Sequence, residues 1–223
     1  MMDQPDNRRR FLARLSERLG KSRRESAPPP EGETREEKLT EEERISRFLH
    51  NLSLLGGRGV RIRGREELKR RLMEDVEGDK ASPLIFWKDA FLEEITDDLS
   101  NVERIPWESG RDAAELIRDA ERAKAGLVRA DWGVASTGSI ALIGGQGRGR
   151  SVSLLPPVLF VVLNRENLLS DTGNVWSRFG ETRGEGVPAY IHWITGPSRS
   201  ADIEGDLSIG VHGPYRVSVY LLE

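Results

Sequence analysis

The pattern of apolar and polar positions predicts two helices in the first quarter of the chain. In a basic segment, apolar residues recur at helical spacing, at Phe11, Leu12, Leu15 and Leu19. A second helix begins at Thr40, because Thr40 and Glu43 form a capping-box signature. Its apolar stripe consists of Ile45, Phe48, Leu49, Leu52 and Leu55, and it ends at the glycine pair 56–57. His50 falls off this stripe, so we expect it to face solvent.

Between residues 60 and 129, short apolar runs alternate with helical patterns. The predicted strands are 60–62, 84–87, 102–105 and one that opens at 127–128. The predicted helices are 66–76, 91–99 and 111–124. This alternation is typical of an α/β domain with a mixed, mainly parallel sheet flanked by helices.

The pattern changes after residue 130. Three β-rich runs are separated by glycine turns: WGVA (132–135), SIALIGG (139–145) and SVSLLPPVLFVVL (151–163). They predict a β-hairpin insertion, or another antiparallel addition, joined to the parallel sheet. A helix over 172–179 and strands over 190–195 and 217–222 complete the predicted fold.

Charge divides the chain before the α/β domain begins. Residues 8–24 hold eight basic residues and one acidic residue, whereas residues 25–43 hold eight acidic and two basic residues. The segment SAPPPEGETREE is rich in Pro, Gly and Glu, which favours a mobile linker. We therefore expect a basic N-terminal helical arm with its linker over 1–38 and an α/β domain over 39–223.

Composition excludes several classes of function. The chain has no cysteine, which excludes disulfides, cysteine nucleophiles and iron–sulfur clusters held by its own thiolates. Three histidines far apart in the sequence argue against a zinc site. The net charge of −3 and the scattered tryptophans argue against nucleic-acid binding. Without an apolar membrane span or a signal-peptide core, we expect a cytoplasmic protein with no stable membrane insertion.

The first candidate site is the glycine loop, residues 144–150. Its backbone N–H groups would approach an anion at Gly145, Gly147 and Gly149, and Arg148 and Arg150 would complete the site. The pattern is neither a P-loop nor a dinucleotide fingerprint, and we expect the loop to run from strand to strand. The alternative is a hairpin connection whose glycines adopt positive φ.

The second candidate is the hydroxyl-rich turn ASTGS. Thr137, Gly138 and Ser139 are candidates for binding an anion or a carbonyl group. The alternative is a tight turn in which the hydroxyls satisfy local backbone groups. The residues around the turn favour that alternative, because no base lies nearby to activate a serine.

The third candidate is the segment TGPSRSADIEGDLSIGVHGPYR, residues 195–216. Asp202 and Glu204 would share one face of a strand, and His212 would join them as a base or polar anchor. Ser198 is a further candidate for substrate contact. The alternative is a set of turns punctuated by Gly and Pro. Another histidine, His192, is expected to be half-buried and satisfied within its strand.

The order of these motifs resembles the LUD-domain family. The resemblance rests on ASTGSIAL, the glycine loop, SLLPP followed by a β run, ITGPSRSADIEG and GVHGPYRVSVYLLE, and on an opening FLARLSERLG. It implies an α/β fold similar to the NagB/RpiA/CoA-transferase-like domain. Ser136 and Leu159 stand where family members often carry an acid and a histidine, which reduces the supply of acid and base groups.

The resemblance also implies a function. This chain would be the cluster-free subunit of an L-lactate utilization system, oxidising L-lactate to pyruvate alongside partner proteins that carry the iron–sulfur clusters. A small carboxylate or other anionic ligand would bind Arg148 or Arg150, and Asp202 or His212 would act on its hydroxyl group. Ser198, Asp202 and His212 would then converge with the glycine loop on one concave face at the carboxyl ends of the strands. One alternative is a stand-alone enzyme or binding protein for a phosphorylated or CoA-linked small molecule. Another is an interaction module that uses the N-terminal helix.

Overall fold

The structure is a computed structural model that describes residues 4–19, 39–145, 147–181, 188, 190–200 and 208–223. The chain divides into two compact units, residues 1–35 and residues 36–223. The described part of the first unit is the helix α1, Gln4–Leu19, which confirms the helix predicted from the basic segment. The predicted linker lies outside the described residues.

The second unit is built from helices and strands in alternation. Its described helices are α2 Glu41–Leu54, α3 Arg65–Gly78, α4 Ala90–Thr96, α5 Ala113–Arg122, α6 Ser151–Leu154 and α7 Thr172–Glu181. Its described strands are β1 Arg58–Ile62, β2 Leu84–Trp87, β3 Arg104–Trp107, β4 Ala125–Arg129, β5 Trp132–Val134, β6 Ser139–Ile143, β7 Val158–Asn164, β8 Leu168–Leu169, β9 Ile191–Ile194, β10 Arg199–Ser200, β11 Ser208–Ile209 and β12 Arg216–Leu222. A 3-10 turn, Arg165–Asn167, follows β7.

The main sheet has six strands in the order β1-β12-β7-β4-β2-β3, and every neighbouring pair is parallel. Its inner strands are buried along almost their whole length. Burial on both faces explains why they read in the sequence as continuous apolar runs. The main sheet confirms the mainly parallel α/β fold.

A second sheet carries the predicted hairpin. Its order is β8-β5-β6-β9, in which β5 and β6 pair antiparallel and β9 adds antiparallel to β6. The short strands β10 and β11 pair with each other. The second sheet therefore confirms the antiparallel addition, and its β5–β6 hairpin lies between β4 and β7 along the chain.

The N-terminus of α2 forms as the capping box predicts. The Glu43 backbone N–H donates to the Thr40 hydroxyl (3.3 Å), and the Glu43 carboxylate accepts from the Thr40 backbone N–H (2.8 Å). Ile45, Phe48 and Leu52 are buried in the core, whereas His50 is exposed. The apolar stripe thus selects the face of α2 that packs on the domain.

Two sequence predictions about the glycine loop and the run after it were wrong. The loop does not run from strand to strand, because residues 151–154 form the helix α6 rather than a strand. Pro156 and Pro157 lack a backbone N–H and delay β7 until Val158. The preceding residues close a helical turn, in which the Leu155 N–H donates to the Ser151 carbonyl (3.0 Å).

Helix α6 packs directly on the main sheet. A Cβ atom added at Gly126 of β4 would lie 2.0 Å from the carbonyl oxygen of Val152. Val152 itself is fully buried. Glycine at position 126 thus lets the helix approach the strand backbone, and this approach holds Ser153 at the wall of a cavity.

Candidate functional site

Two of the predicted site residues, Ser198 and His212, line a cavity of about 290 Å³. We call it the histidine cavity, and six polar side chains in its wall carry its chemistry: Ser153, His192, Thr195, Ser198, Arg199 and His212. Its volume lies at the lower limit of ordinary small-molecule sites.

The histidine cavity lies at the amino edge of the main sheet. Ser153 precedes β7 along the chain, and His212 precedes β12. The two segments meet where the Tyr215 N–H donates to the Pro157 carbonyl (2.9 Å). The far wall comes from His192 in β9 and from the residues that follow this strand.

His192 and Ser153 form a hydrogen-bonded pair, with 3.0 Å between His192 Nδ1 and Ser153 Oγ. The Ser153 hydroxyl donates to the Arg150 carbonyl (3.1 Å), so its one proton is already used. That arrangement favours donation from Nδ1–H to Ser153 Oγ and leaves the lone pair on Nε2. Burial, and secondly the positive charge of Arg150, hold the pKa of His192 below its ordinary value. His192 is therefore suited to act as a neutral base.

A chain of hydroxyl groups connects the ASTGS turn to this cavity. Thr137 Oγ1 lies 2.7 Å from Ser139 Oγ, which lies 2.9 Å from Thr195 Oγ1. Ser139 is buried, whereas Thr195 lines the cavity. The structure thus places Thr195, rather than Thr137 or Ser139, at the cavity wall.

Helix α2 holds the same turn through hydrogen bonds and close packing. The Asn51 side-chain amide donates to the carbonyls of Ala135 (2.8 Å) and Ser136 (3.0 Å). Gly138 has φ +66°, and a Cβ atom there would lie 2.3 Å from the backbone nitrogen of Leu52. This contact gives Gly138 a packing role.

Gly149 of the glycine loop lies at the opposite, carboxyl edge of the main sheet. Trp87 Nε1, at the end of β2, donates to the Gly149 carbonyl (2.9 Å). A Cβ atom at Gly149 would lie 2.2 Å from the indole ring of Trp107, whereas Gly145 and Gly147 have open space at that position. Tyr190 Oη donates to the Arg148 carbonyl, which fixes the loop from its other side.

The two arginines of the glycine loop face different surroundings. Arg148 pairs with Asp131 (2.6 Å) and lies over the Trp87 ring. The Arg150 guanidinium lies 5.9 Å from the centre of the Tyr190 ring and lowers the pKa of His192. Arg150 is consequently the arginine of this loop that affects the histidine cavity.

We expected the glycine loop and residues 198–212 to converge on one concave face at the carboxyl edge of the sheet. In the structure only the Arg150 end of the loop lies close to Ser198 and His212, because the Ser153 hydroxyl in the wall of the histidine cavity donates to the Arg150 carbonyl. Arg148 lines a different cavity. Asp202 and Glu204 lie outside the described residues. Their predicted roles, like those of the other candidate residues, stay predictions.

Sequence reasoning did not assign a site role to Ser153, His192, Thr195 or Arg199. His192 carried a partial signal, since alternation in YIHWIT places it on one face of its strand. Arg199 lies within the GPSRSADIE motif, and its guanidinium donates to the Leu55 carbonyl at the end of α2. Ser153 gave no signal, because its segment reads as a strand.

No cluster of three or more His, Asp or Glu side chains suited to a metal ion occurs within the described residues. In that same part of the chain, no helix combines the length and apolar character needed to cross a membrane.

Similarity to known proteins defines the family. The LUD domain model matches residues 45–222. A lactate utilization protein C from Halalkalibacterium halodurans is 32% identical over 162 residues, covering 71% of this chain and 70% of that protein. The Bacillus subtilis protein of the same name is 34% identical over 160 residues, covering 68% and 67% of the two chains.

A solved structure supports the same fold. It is the crystal structure of a DUF162 family protein from Deinococcus radiodurans, which covers 83% of this chain and 99% of its own at a TM-score of 0.62 and 20% identity. At that identity the likeness concerns the fold alone. The family match and the two relatives confirm the resemblance carried by the sequence motifs, and the chain belongs to the LUD domain family.

Proposed function

We propose that this chain acts in L-lactate utilization, as a cluster-free subunit that supports oxidation of L-lactate to pyruvate with iron–sulfur partner proteins. Relatives named lactate utilization protein C support the general role. The single observation that carries the chemical part is the pairing of His192 with Ser153 in the wall of the histidine cavity. It places a neutral base beside hydroxyl and guanidinium groups.

The carboxylate of a 2-hydroxy acid needs a cationic partner in this cavity. Arg199 lines it, and only one N–H of its guanidinium is engaged by the Leu55 carbonyl among the described contacts. A guanidinium carries five N–H donors and matches a carboxylate in a bidentate arrangement. Arg199 therefore binds the carboxylate in this proposal, and Arg150 adds a second positive charge near His192.

The hydroxyl group of the substrate then meets His192. Oxidation of L-lactate to pyruvate releases two electrons and two protons. His192 Nε2 accepts the hydroxyl proton, with His212 and the Thr195 and Ser198 hydroxyls orienting the substrate. The second proton and both electrons leave to the iron–sulfur partners, because a chain without cysteine has no thiolates to hold a cluster.

Growth and direct binding test this proposal together. A strain that lacks the gene for this chain should fail to grow on L-lactate as sole carbon source and should still grow on pyruvate. The wild-type gene restores growth, whereas His192→Asn and Arg199→Gln restore it poorly. In ligand-detected NMR, L-lactate should bind the purified wild-type chain and should bind both variants more weakly.

His50 provides the matched control, because it is exposed on α2 and is absent from the lining of the histidine cavity. His50→Asn should restore growth and bind L-lactate like the wild type. Normal growth of the deletion strain on L-lactate would overturn the physiological role. Normal growth and binding in folded His192→Asn would overturn the assignment of the base.

A further inference from the structure

A second cavity, of about 450 Å³, lies at the carboxyl edge of the main sheet. We call it the carboxyl-edge cleft. Six side chains in its wall matter here: Arg65, Asp89, Phe91, Glu94, Arg129 and Arg148. None of the described residues lines both this cleft and the histidine cavity.

Ion pairs neutralise two of its three arginines. Arg65 pairs with Glu94 at 2.6 Å. Arg148 pairs with Asp131 at 2.6 Å, and Asp131 also accepts the Ile143 N–H (2.7 Å), so this carboxylate is held in place. Both cations are therefore engaged within the protein.

Arg129 differs from them. It is half-buried at the end of β4, and its recorded contact is with the Phe91 ring, whose centre lies 5.6 Å from the guanidinium carbon. It has no carboxylate partner among the described residues, whereas the other two arginines of the cleft, Arg65 and Arg148, each have one. A half-buried charge is costly without a counter-charge.

Asp89, a carboxylate of the cleft wall, caps a helix and forms no ion pair with Arg129 among the described contacts. Asp89 follows β2, the neighbour of β4, and its Oδ1 accepts the Leu92 N–H (2.8 Å) as the cap of α4. Asp89, Glu94 and the Arg148 partner Asp131 are thus each engaged elsewhere. Among the described contacts none of these carboxylates pairs with Arg129, so its guanidinium keeps N–H donors for an anion.

The topology of the main sheet opens this cleft where ligands bind in open α/β sheets. From β2 the chain crosses to β3 on one side, whereas from β4 it continues to β7 on the other side. The carboxyl ends of β2 and β4 therefore border a crevice at the point where the strand order reverses. Arg129 is the last residue of β4 at that crevice.

We infer that the carboxyl-edge cleft binds the terminal oxyanion, a phosphate or a carboxylate, of a small organic molecule. The Arg129 guanidinium holds the oxyanion in bidentate hydrogen bonds, which its fork geometry suits. The body of the ligand packs in the remainder of the cleft beside Phe91, since the cavity is larger than one oxyanion needs. This site is separate from the histidine cavity and does not rest on the lactate role.

A matched set of probes tests the inference. Phenyl phosphate and benzoate share an aromatic ring and differ in the oxyanion. Benzyl alcohol has the aromatic ring but no oxyanion. Titration into the full chain, followed by protein-detected NMR, should show saturable binding of one or both anions and none of benzyl alcohol. The anion that binds more tightly shows whether the cleft prefers a phosphate or a carboxylate.

Substitution then locates the site. Arg129→Gln should weaken the binding about tenfold or more, because a charge-assisted hydrogen bond to the oxyanion is lost. Arg129→Lys keeps the charge without the fork and should weaken it less. The control is Arg118→Gln, which removes an exposed arginine of α5 that lines neither cavity and should leave binding unchanged.

Two results would overturn the inference. One is that neither anion binds the folded wild-type chain at millimolar concentration. The other is that Arg129→Gln, or Arg129→Lys if the glutamine variant does not fold, binds the anions as the wild type does. Loss of growth on L-lactate in His192→Asn would leave this test unaffected, so the two sites are judged separately.

Discussion

Replacement of Gly138 by alanine tests whether the ASTGS motif has a packing role. Gly138 has φ +66°, and its own N–H donates to the Val134 carbonyl (2.9 Å) in the turn between β5 and β6. An added Cβ atom would lie 2.3 Å from the Leu52 nitrogen and 2.7 Å from the Asn51 carbonyl carbon. Both neighbours are backbone atoms of α2, which cannot swing away as a flexible side chain can.

The cost has two parts. A left-handed conformation costs a non-glycine residue ~1–2 kcal/mol, and overpacking a close contact costs ~1–3 kcal/mol. The lower entropy of the unfolded alanine chain offsets ~0.5–1 kcal/mol. We therefore expect Gly138→Ala to lower the free energy of unfolding by ~2–4 kcal/mol.

Gly147 is the matched control. It has φ +78°, but a Cβ atom there has open space within 4 Å. Gly147→Ala should therefore lose only ~1 kcal/mol. Urea unfolding followed by tryptophan fluorescence measures both variants against the wild type. If the two variants lose the same free energy of unfolding within ~0.5 kcal/mol, the packing argument is refuted, and ligand contact becomes the favoured role of the motif.

Substitutions at three further positions are tested by urea unfolding. Tyr220→Phe should lower the free energy of unfolding by ~1–2 kcal/mol, because Tyr220 Oη donates to the half-buried Asp75 carboxylate (2.8 Å); an unchanged midpoint would contradict this. Thr40→Ala should cost ~1 kcal/mol by removing the helix cap, and Thr40→Ser should not; equal losses would argue against the capping hydroxyl. Because the pKa of His192 is lowered, the unfolded chain binds its proton first as the pH falls below ~6.5, so stability decreases from there down to the folded pKa. His192→Asn should remove that dependence, and an unaltered pH profile would contradict it.

The sequence predicted the buried strands best. Residues 84–87 form β2 as predicted, since a strand covered on both faces must be apolar throughout. The edge strand β3 was predicted two residues early, at 102–105 instead of 104–107. Pro106 reads as a strand breaker, but β3 has a free edge at which a missing N–H removes no ladder hydrogen bond.

The candidate site was harder to predict, because the order and direction of the strands decide which loops meet at each edge of the main sheet. The last strand, β12, inserts between β1 and β7 rather than adding at an edge. Because β12 runs parallel to both neighbours, the loop before it meets the amino edge, whereas Gly149 of the glycine loop meets the carboxyl edge. Arg129 gave no sequence signal either, since what distinguishes it from Arg65 and Arg148 in the cleft wall is that it forms no ion pair among the described contacts.

This geometry gives the two arginines of the glycine loop different surroundings. The hydrogen bonds from Trp87 and Tyr190 hold the loop at the carboxyl edge, from which it leads to α6. Arg148 and Arg150, two residues apart, therefore affect different cavities. A phosphate loop would instead converge its N–H groups and cations on one anion. The close approach of Gly149 to Trp107 accounts for that glycine by sterics alone. Variants of Arg148 and of Arg150 consequently test separate sites. A variant that changes both arginines of GGQGRGR at once would not distinguish the two sites.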